Sequence, residues 1–190
     1  MDFLRPHKTI PITPWRAANR WDLSSSRVAI LFFGLFIFGI GDSLLIQSNL
    51  GNAPWSVLAQ GLAKTFDSEI GLLTFIISAV VLLLWVPLKE KPGFGTVANI
   101  VIIAGAIQLG IDFIPATENA IVGLIYVFIG IALVGAGSSL YITCGLGPGP
   151  RDGLMTALHN KTGIRVGRVR LAIEGTVLIL GAVLGGALGV

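Results

Sequence analysis

The chain has 190 residues and a mass of 20.0 kDa, room for one domain. Hydrophobic residues make up 54% and charged residues 12%, about half the charged share of an ordinary soluble domain, and the mean hydropathy is +0.85. That balance excludes a disordered chain, a nucleic-acid module and an ordinary cytosolic enzyme and indicates an integral membrane protein, so the net charge of +3 reads as a record of loop orientation.

Residues 1–27 form a basic cytoplasmic tail with Arg5, Lys8, Arg16, Arg20 and Arg27, and with Trp15 and Trp21 among them. Anionic lipid attracts such segments, so the tail reads either as a strip on the inner leaflet or as a flexible extension. A bilayer core needs roughly 20 mostly apolar residues per helix. Five segments meet that need: 28–48, 71–88, 95–114, 121–144 and 171–189. The first is long and follows a polar stretch with no small-residue cleavage site after it, so it reads as a span and not as a cleaved signal. Ser24, Ser25 and Ser26 offer it an N-cap. Residues 89–93 (Lys-Glu-Lys-Pro-Gly) and 115–119 (Pro-Ala-Thr-Glu-Asn) are hairpin turns. Two further segments, 54–66 and 150–162, span only about 20 Å as helices, too short to cross, and read as re-entrant or interfacial. Pro54 and Pro150 suit their first positions, and Gly163 suits the end of the second.

Cytoplasmic loops are enriched in Lys and Arg. With the N-terminus inside, every one of the 13 basic residues except Lys64 falls inside: the five of the tail, Lys89, Lys91, Arg151, Lys161, Arg165, Arg168 and Arg170. One cysteine, Cys144, excludes an internal disulfide.

Displacing the chain by 96 positions lays Leu50-Gly51-Asn52-Ala53-Pro54 on Leu146-Gly147-Pro148-Gly149-Pro150. Gly34, Gly39 and Gly41 fall on Gly130, Gly135 and Gly137, Ser43 on Ser139, and Gly71 on Gly167. No gap is needed, and 19 of 67 pairs are identical between 28–94 and 124–190. The glycines and the proline outweigh the leucines, because each marks a specific backbone need. The expected fold is therefore an all-α membrane protein of about five spans and two short helices, arranged as an inverted internal repeat. The first unit, 28–114, has three spans, and the second, 121–190, has two. The counterpart of span 95–114 would begin just after Val190, so the second unit lacks its last helix, and truncation is the preferred reading. Gly181, Gly185 and Gly189 form a stripe for close helix packing. Its partner would be the absent helix, a sister subunit or another span of this chain.

At Asn49-Leu-Gly-Asn-Ala-Pro-Trp-Ser-Val-Leu, at Gly145-Leu-Gly-Pro-Gly-Pro-Arg-Asp-Gly-Leu-Met and at Lys91-Pro-Gly-Phe-Gly-Thr-Val-Ala-Asn the chain resembles the YczE/YyaS/YitT family of bacterial membrane proteins, most of all its YczE branch. The resemblance implies a multi-spanning protein of the bacterial cytoplasmic membrane and no established activity. It also implies an acidic residue after the tryptophan of the first motif; this chain has Ser56 there, while the second motif keeps Asp152.

Asp42 is the one carboxylate well inside a span. Charges at such depth usually face a cavity or a partner, so it reads as a site for a proton, a cation or a basic partner, or as a structural carboxylate near the outer interface. Its counterpart is Ser138, next to Ser139, which makes the site asymmetric. Arg151 and Asp152 follow Pro150 at the start of a short helix, where free N–H groups favour an anion; a first-turn acid with an inside arginine is the plainer account. Trp55 and Trp85 read as interfacial anchors, Asp112 and Glu174 as interfacial acids, and Asn99 and Gln108 as bonds between helices. Leu50, Gly51, Pro54, Gly147 and Pro150 set the turns. His7 and His159 belong to no metal-spacing motif, and no catalytic motif is present, so neither enzymatic activity, metal nor cofactor is expected. Two functions remain: a small-solute or ion transporter, or a non-transporting scaffold or regulatory partner. The expected partners are the lipid bilayer and a homo-oligomer or another membrane protein, with no nucleic acid.

Overall fold

The computed structural model describes residues 13–188; Arg5, His7, Lys8 and Gly189 lie outside them. Eight helical segments follow in order: α1 (Ser25–Gln47), α2 (Pro54–Phe66), α3 (Ile70–Leu83), α4 (Trp85–Leu88), α5 (Phe94–Phe113), α6 (Ala120–Thr143), α7 (Pro150–Thr162) and α8 (Val166–Val183). The described residues contain no strand. α4 continues α3, giving one apolar stretch over Ile70–Leu88, and this stretch, α1, α5 and α6 are the four long and apolar enough to cross a membrane. A helix meets all its backbone hydrogen bonds internally, which hydrocarbon demands. Asn119 caps α6 by accepting from the N–H groups of Ile121 and Val122. Ser24 precedes α1 in extended backbone but makes no side-chain cap.

The expected fifth span differs. α8 begins at Val166 and ends at Val183, and it carries Arg168, Arg170 and Glu174. Gly185 does not continue a packing stripe; it stops the helix in the left-handed region at φ 88°. Its N–H donates to Ala182 O at 2.9 Å, and that of Gly186 to Gly181 O at 2.8 Å, the paired bonds of a glycine C-terminal motif. Lys64 Nζ completes the end by donating to Gly185 O at 2.7 Å. Gly181 does pack closely, and its partner is α2 of the same chain: an added Cβ would lie 2.6 Å from Leu58 N.

The 96-residue displacement matches helices as well as residues: α1 falls on α6 within a residue, and α2 on α7 end to end. α1 and α6 cross antiparallel through small residues seven apart. Gly34 faces Gly137, Gly41 faces Gly130, and Gly123 faces Ser48 O. At the far end Cys144 Sγ lies 3.8 Å from Arg27 O. Without Cβ atoms the two backbones approach to contact. The remaining contacts exchange units: α2 packs on α8, and α7 on α3 and α4. The details are complementary. Trp85 fills the space left by Gly153, while at the corresponding positions Gly181 receives the backbone of Val57. α5 runs parallel to α1, with Gly39 against Ala106, Ser43 against Gly110, and Gln47 Nε2 donating to Ile111 O at 3.0 Å. Leu31, Leu35, Ile107 and Leu146 form one core among α1, α5 and α6; Trp55, Ile77, Trp85 and Leu154 form the other.

The described part of the tail is tied to the helices. Ala17 N donates to Cys144 O at 2.8 Å, Trp15 Nε1 to Thr143 Oγ1 at 3.1 Å, and Phe94 N to Arg20 O at 3.1 Å. Arg20 pairs with Glu90 at 3.1 Å. The segment thus straps the start of α1 to the end of α6 and the start of α5. Within it, the Ala18 N–H, with Arg27 adding to it, holds the Asp22 carboxyl below its usual range.

Candidate functional site

The two short helices begin beside one another, and their turns explain why. Gly51 and Gly147 take φ 148° and 114°, values that side chains rarely tolerate. Each turn delivers a proline to the first helical position, Pro54 in α2 and Pro150 in α7. The second turn is held by Thr96, whose hydroxyl donates to Pro148 O at 2.8 Å, and by Leu146, whose carbonyl accepts Gly95 N at 2.8 Å. Leu50 N donates to Ser48 Oγ at 3.2 Å in the first. The N-cap residues are Ala53 and Gly149, and neither supplies a side-chain cap. Two helix N-termini without side-chain caps therefore reach the same place.

Between them lies a cavity of about 420 Å³, lined by both N-termini and by Asn99, Ser138, Tyr141, Arg151 and Asp152. The Arg151 guanidinium stacks on Trp55, 5.0 Å from the ring centre, a favourable cation–π distance. Residues 55 and 151 are counterparts at the 96-residue displacement, so the stack joins equivalent positions of the two units. The Arg151 side chain forms no hydrogen bond with another described residue. Asp42, 5% exposed, sits behind the cavity wall and accepts from Ser56 Oγ, with its two oxygens 3.0 and 3.1 Å away. Asp152 Oδ2 accepts from Tyr141 OH at 3.0 Å. A buried carboxylate is costly unless paired and hydrogen-bonded, and the Ser56 hydroxyl gives Asp42 such a bond.

Asp42, Arg151, Asp152 and Ser138 thus meet at one place. Ser139 does not: it is exposed on the other side of α6 and donates to Ala136 O at 2.8 Å. The site is also less asymmetric than the pairing of Asp42 with Ser138 implies. The partner of Asp42 is Ser56, and the counterpart of Ser56 is Asp152. Each unit therefore holds one aspartate and one serine at equivalent positions, with the two exchanged.

Two sequence expectations give way to burial. Trp55 is 6% exposed and walls the cavity. Trp85 is 1% exposed and donates Nε1–H to Pro150 O at 3.0 Å, which ties α4 to the start of α7. Glu174 lies at the cavity edge, paired with Arg170 at 2.8 Å. Gln108 joins helices by accepting Gly71 N at 3.0 Å. Tyr141 is the residue that sequence reasoning missed. It lies one helical turn beyond Ser138, on the same face of α6 as Gly137, and that spacing is its only sequence signal.

The sequence profile of DUF6198, a family of unknown function, matches residues 25–190. An uncharacterised protein of Haemophilus influenzae is 41% identical over 96% of this chain and 84% of its own length. The uncharacterised membrane protein YczE of Bacillus subtilis is 33% identical over 86% of this chain and 77% of its own. YyaS of the same organism is 26% identical over 83% and 80%. No solved structure matches the chain at a significant level.

Proposed function

This chain belongs to the DUF6198 family and is a membrane protein, and from that premise we propose that it is a multi-pass protein of the bacterial cytoplasmic membrane that binds and moves a small solute bearing an anionic group. The observation that carries this reading is Arg151: a guanidinium held on Trp55 in a cavity of about 420 Å³, between two uncapped helix N-termini, with no hydrogen bond to a described residue. Helix N-termini and arginine both favour an anion.

Inverted units support movement as well as binding. α1 and α6 run antiparallel, α2 and α7 exchange their packing partners, and the cavity lies where the units meet. Secondary transporters built from inverted repeats place their sites at such a junction, between broken helices. The basic residues orient the chain with its N-terminus inside. No catalytic step forms part of the proposal.

The test uses the purified full chain in detergent, with acetate, succinate and inorganic phosphate as anionic probes and tetramethylammonium as the control. At a hundredfold excess over Kd, binding stabilises by about 2.7 kcal/mol. One or more anions should raise the melting temperature, the control should not, and Arg151→Ala should abolish the response. Wild-type response in Arg151→Ala, or a response to the cation alone, contradicts the reading. A second reading, a non-transporting scaffold, is favoured by the partners that the acids already have: Ser56 for Asp42, Tyr141 for Asp152 and Arg170 for Glu174. It predicts no anion response and a stable protein partner in crosslinking.

A further inference from the structure

A second cavity, of about 440 Å³, lies at the far end of α7, between it and the end of α4. Its lining brings together Lys89, Glu90, Asn160 and Lys161. Lys89 directly follows the apolar stretch Ile70–Leu88, so the cavity stands where a span leaves the hydrocarbon, on the side proposed to face the cytoplasm. Its charge is positive. Glu90 is taken up by Arg20, whose two terminal nitrogens each lie 3.1 Å from Oε1. Lys161 Nζ donates to Pro87 O at 3.1 Å and keeps two further N–H groups. The Lys89 ammonium and the Asn160 amide form no hydrogen bond with another described residue.

The counterpart of this place in the first unit is closed. There α2 meets the end of α8: Lys64 Nζ donates to Gly185 O, and an added Cβ on Gly61 would lie 2.5 Å from Gly181 O. In the second unit Ala157 stands at the position of Gly61, and its methyl bars so close an approach. The left-handed residues differ as well. Gly185 follows α8 at φ 88°, and the residue at its position, Lys89, follows α4 at φ 57°. Glycine adopts that backbone freely, whereas a lysine there is strained. The strain holds a cation on the cavity wall, and strain of this kind gathers where a ligand is clamped. Val80, Leu83 and Val86 recur every three residues and are all exposed, an apolar ridge on the helical stretch that leads to Lys89. Cations above an apolar ridge fit an anionic head carried on hydrocarbon tails. We propose that this cavity binds an anionic phospholipid, with its phosphate between Lys89 and Lys161, the Asn160 amide donating to it, and its acyl chains along Val86, Leu83 and Val80.

Native mass spectrometry of the full chain, purified in detergent and titrated with phosphatidylglycerol or phosphatidylcholine, tests the site. Wild-type protein should retain phosphatidylglycerol in preference to phosphatidylcholine at equal concentration. One lysine at a lipid surface is worth about fivefold in affinity. Lys161→Gln should therefore weaken phosphatidylglycerol binding about fivefold, and Lys89→Gly combined with Lys161→Gln about thirtyfold. Lys91→Gln removes the same charge from a lysine outside the lining and should bind as the wild type does. Lys89→Gly suits the left-handed backbone, so alone it should melt no lower than the wild type while still losing lipid, which separates binding from folding. Glycerol 3-phosphate carries the charge without the tails and should not displace the lipid. Equal retention of the two lipids, equal losses from Lys91→Gln and the double variant, or displacement by glycerol 3-phosphate, which would assign the cavity to a soluble phosphate ester, would each overturn the proposal.

Discussion

The cavity depends on a few side chains whose neighbours leave little freedom. Arg151 is held by the face of Trp55, so Arg151→Lys, a point charge without the planar fork, should weaken the anion response instead of restoring it. Isothermal titration with the probe that stabilises the wild type measures the difference. Asp42→Asn keeps the shape and the bond to Ser56 but removes the ionisable group; it should impair uptake into proteoliposomes. Gly153 is the most constrained position nearby, since an added Cβ would enter the Trp85 ring. Gly153→Ala should cost about 1–3 kcal/mol by overpacking, read as a lower melting temperature in detergent. At the tail strap, the Ala18 N–H and Arg27 depress Asp22, and the sign follows from that depression. Its contribution is present above the unfolded carboxyl value of about 4 and is lost as pH falls through the lower folded value. Hydrogen exchange at the Ala18 amide, corrected for intrinsic rate, should therefore rise on acidification in the wild type and be flat in Asp22→Asn. Arg151, Asp152, Ser138 and Asp42 are readable from the chain because charges and hydroxyls in an apolar sequence have few places to go. Trp55 is not, since a lipid-interface tryptophan and a cavity wall have the same local sequence. What separates them is the repeat, which pairs position 55 with 151.

Helices are legible where one constraint acts alone. α1, the Ile70–Leu88 stretch, α5 and α6 lie within a few residues of the spans expected, because bilayer thickness and backbone satisfaction select a continuous apolar run. α2 and α7 match 54–66 and 150–162 end to end, since a proline opens each and a left-handed residue, Asp67 or Gly163, closes it. α8 departs because two readings compete at Gly185. Glycines four apart suit a packing stripe, yet a glycine also suits the position that ends a helix, and here the bonds from Gly185 and Gly186 decide for the end. Lys64 takes part in that outcome. It is the one basic residue the charge rule leaves outside, and it donates to the Gly185 carbonyl just past the end of α8. Lys64→Met should cost about 0.3–1 kcal/mol and fray the α8 terminus, measured as faster amide exchange at Gly185 and Gly186 with α2 unaffected.

At the scale of the molecule, the glycines that reveal the repeat in sequence are the ones that build it. Gly34, Gly41, Gly130 and Gly137 are where α1 and α6 touch, and Gly51 and Gly147 turn the chain into the two short helices. Their dual role explains why an alignment of weak overall identity exposes so much of the architecture. The proposed arrangement across the membrane is not legible from glycines; it rests on the distribution of basic residues. The account as a whole requires that the loops after α2 and α7 lie on opposite sides. Ser68 and Ile164 are counterparts at the 96-residue displacement, exposed in those two loops, and the lone native cysteine is buried. Labelling Ser68→Cys and Ile164→Cys in intact cells with a membrane-impermeant maleimide is the direct measurement. The account predicts that Ser68→Cys is labelled from outside and Ile164→Cys only after the membrane is opened; labelling of both from the same side would contradict it.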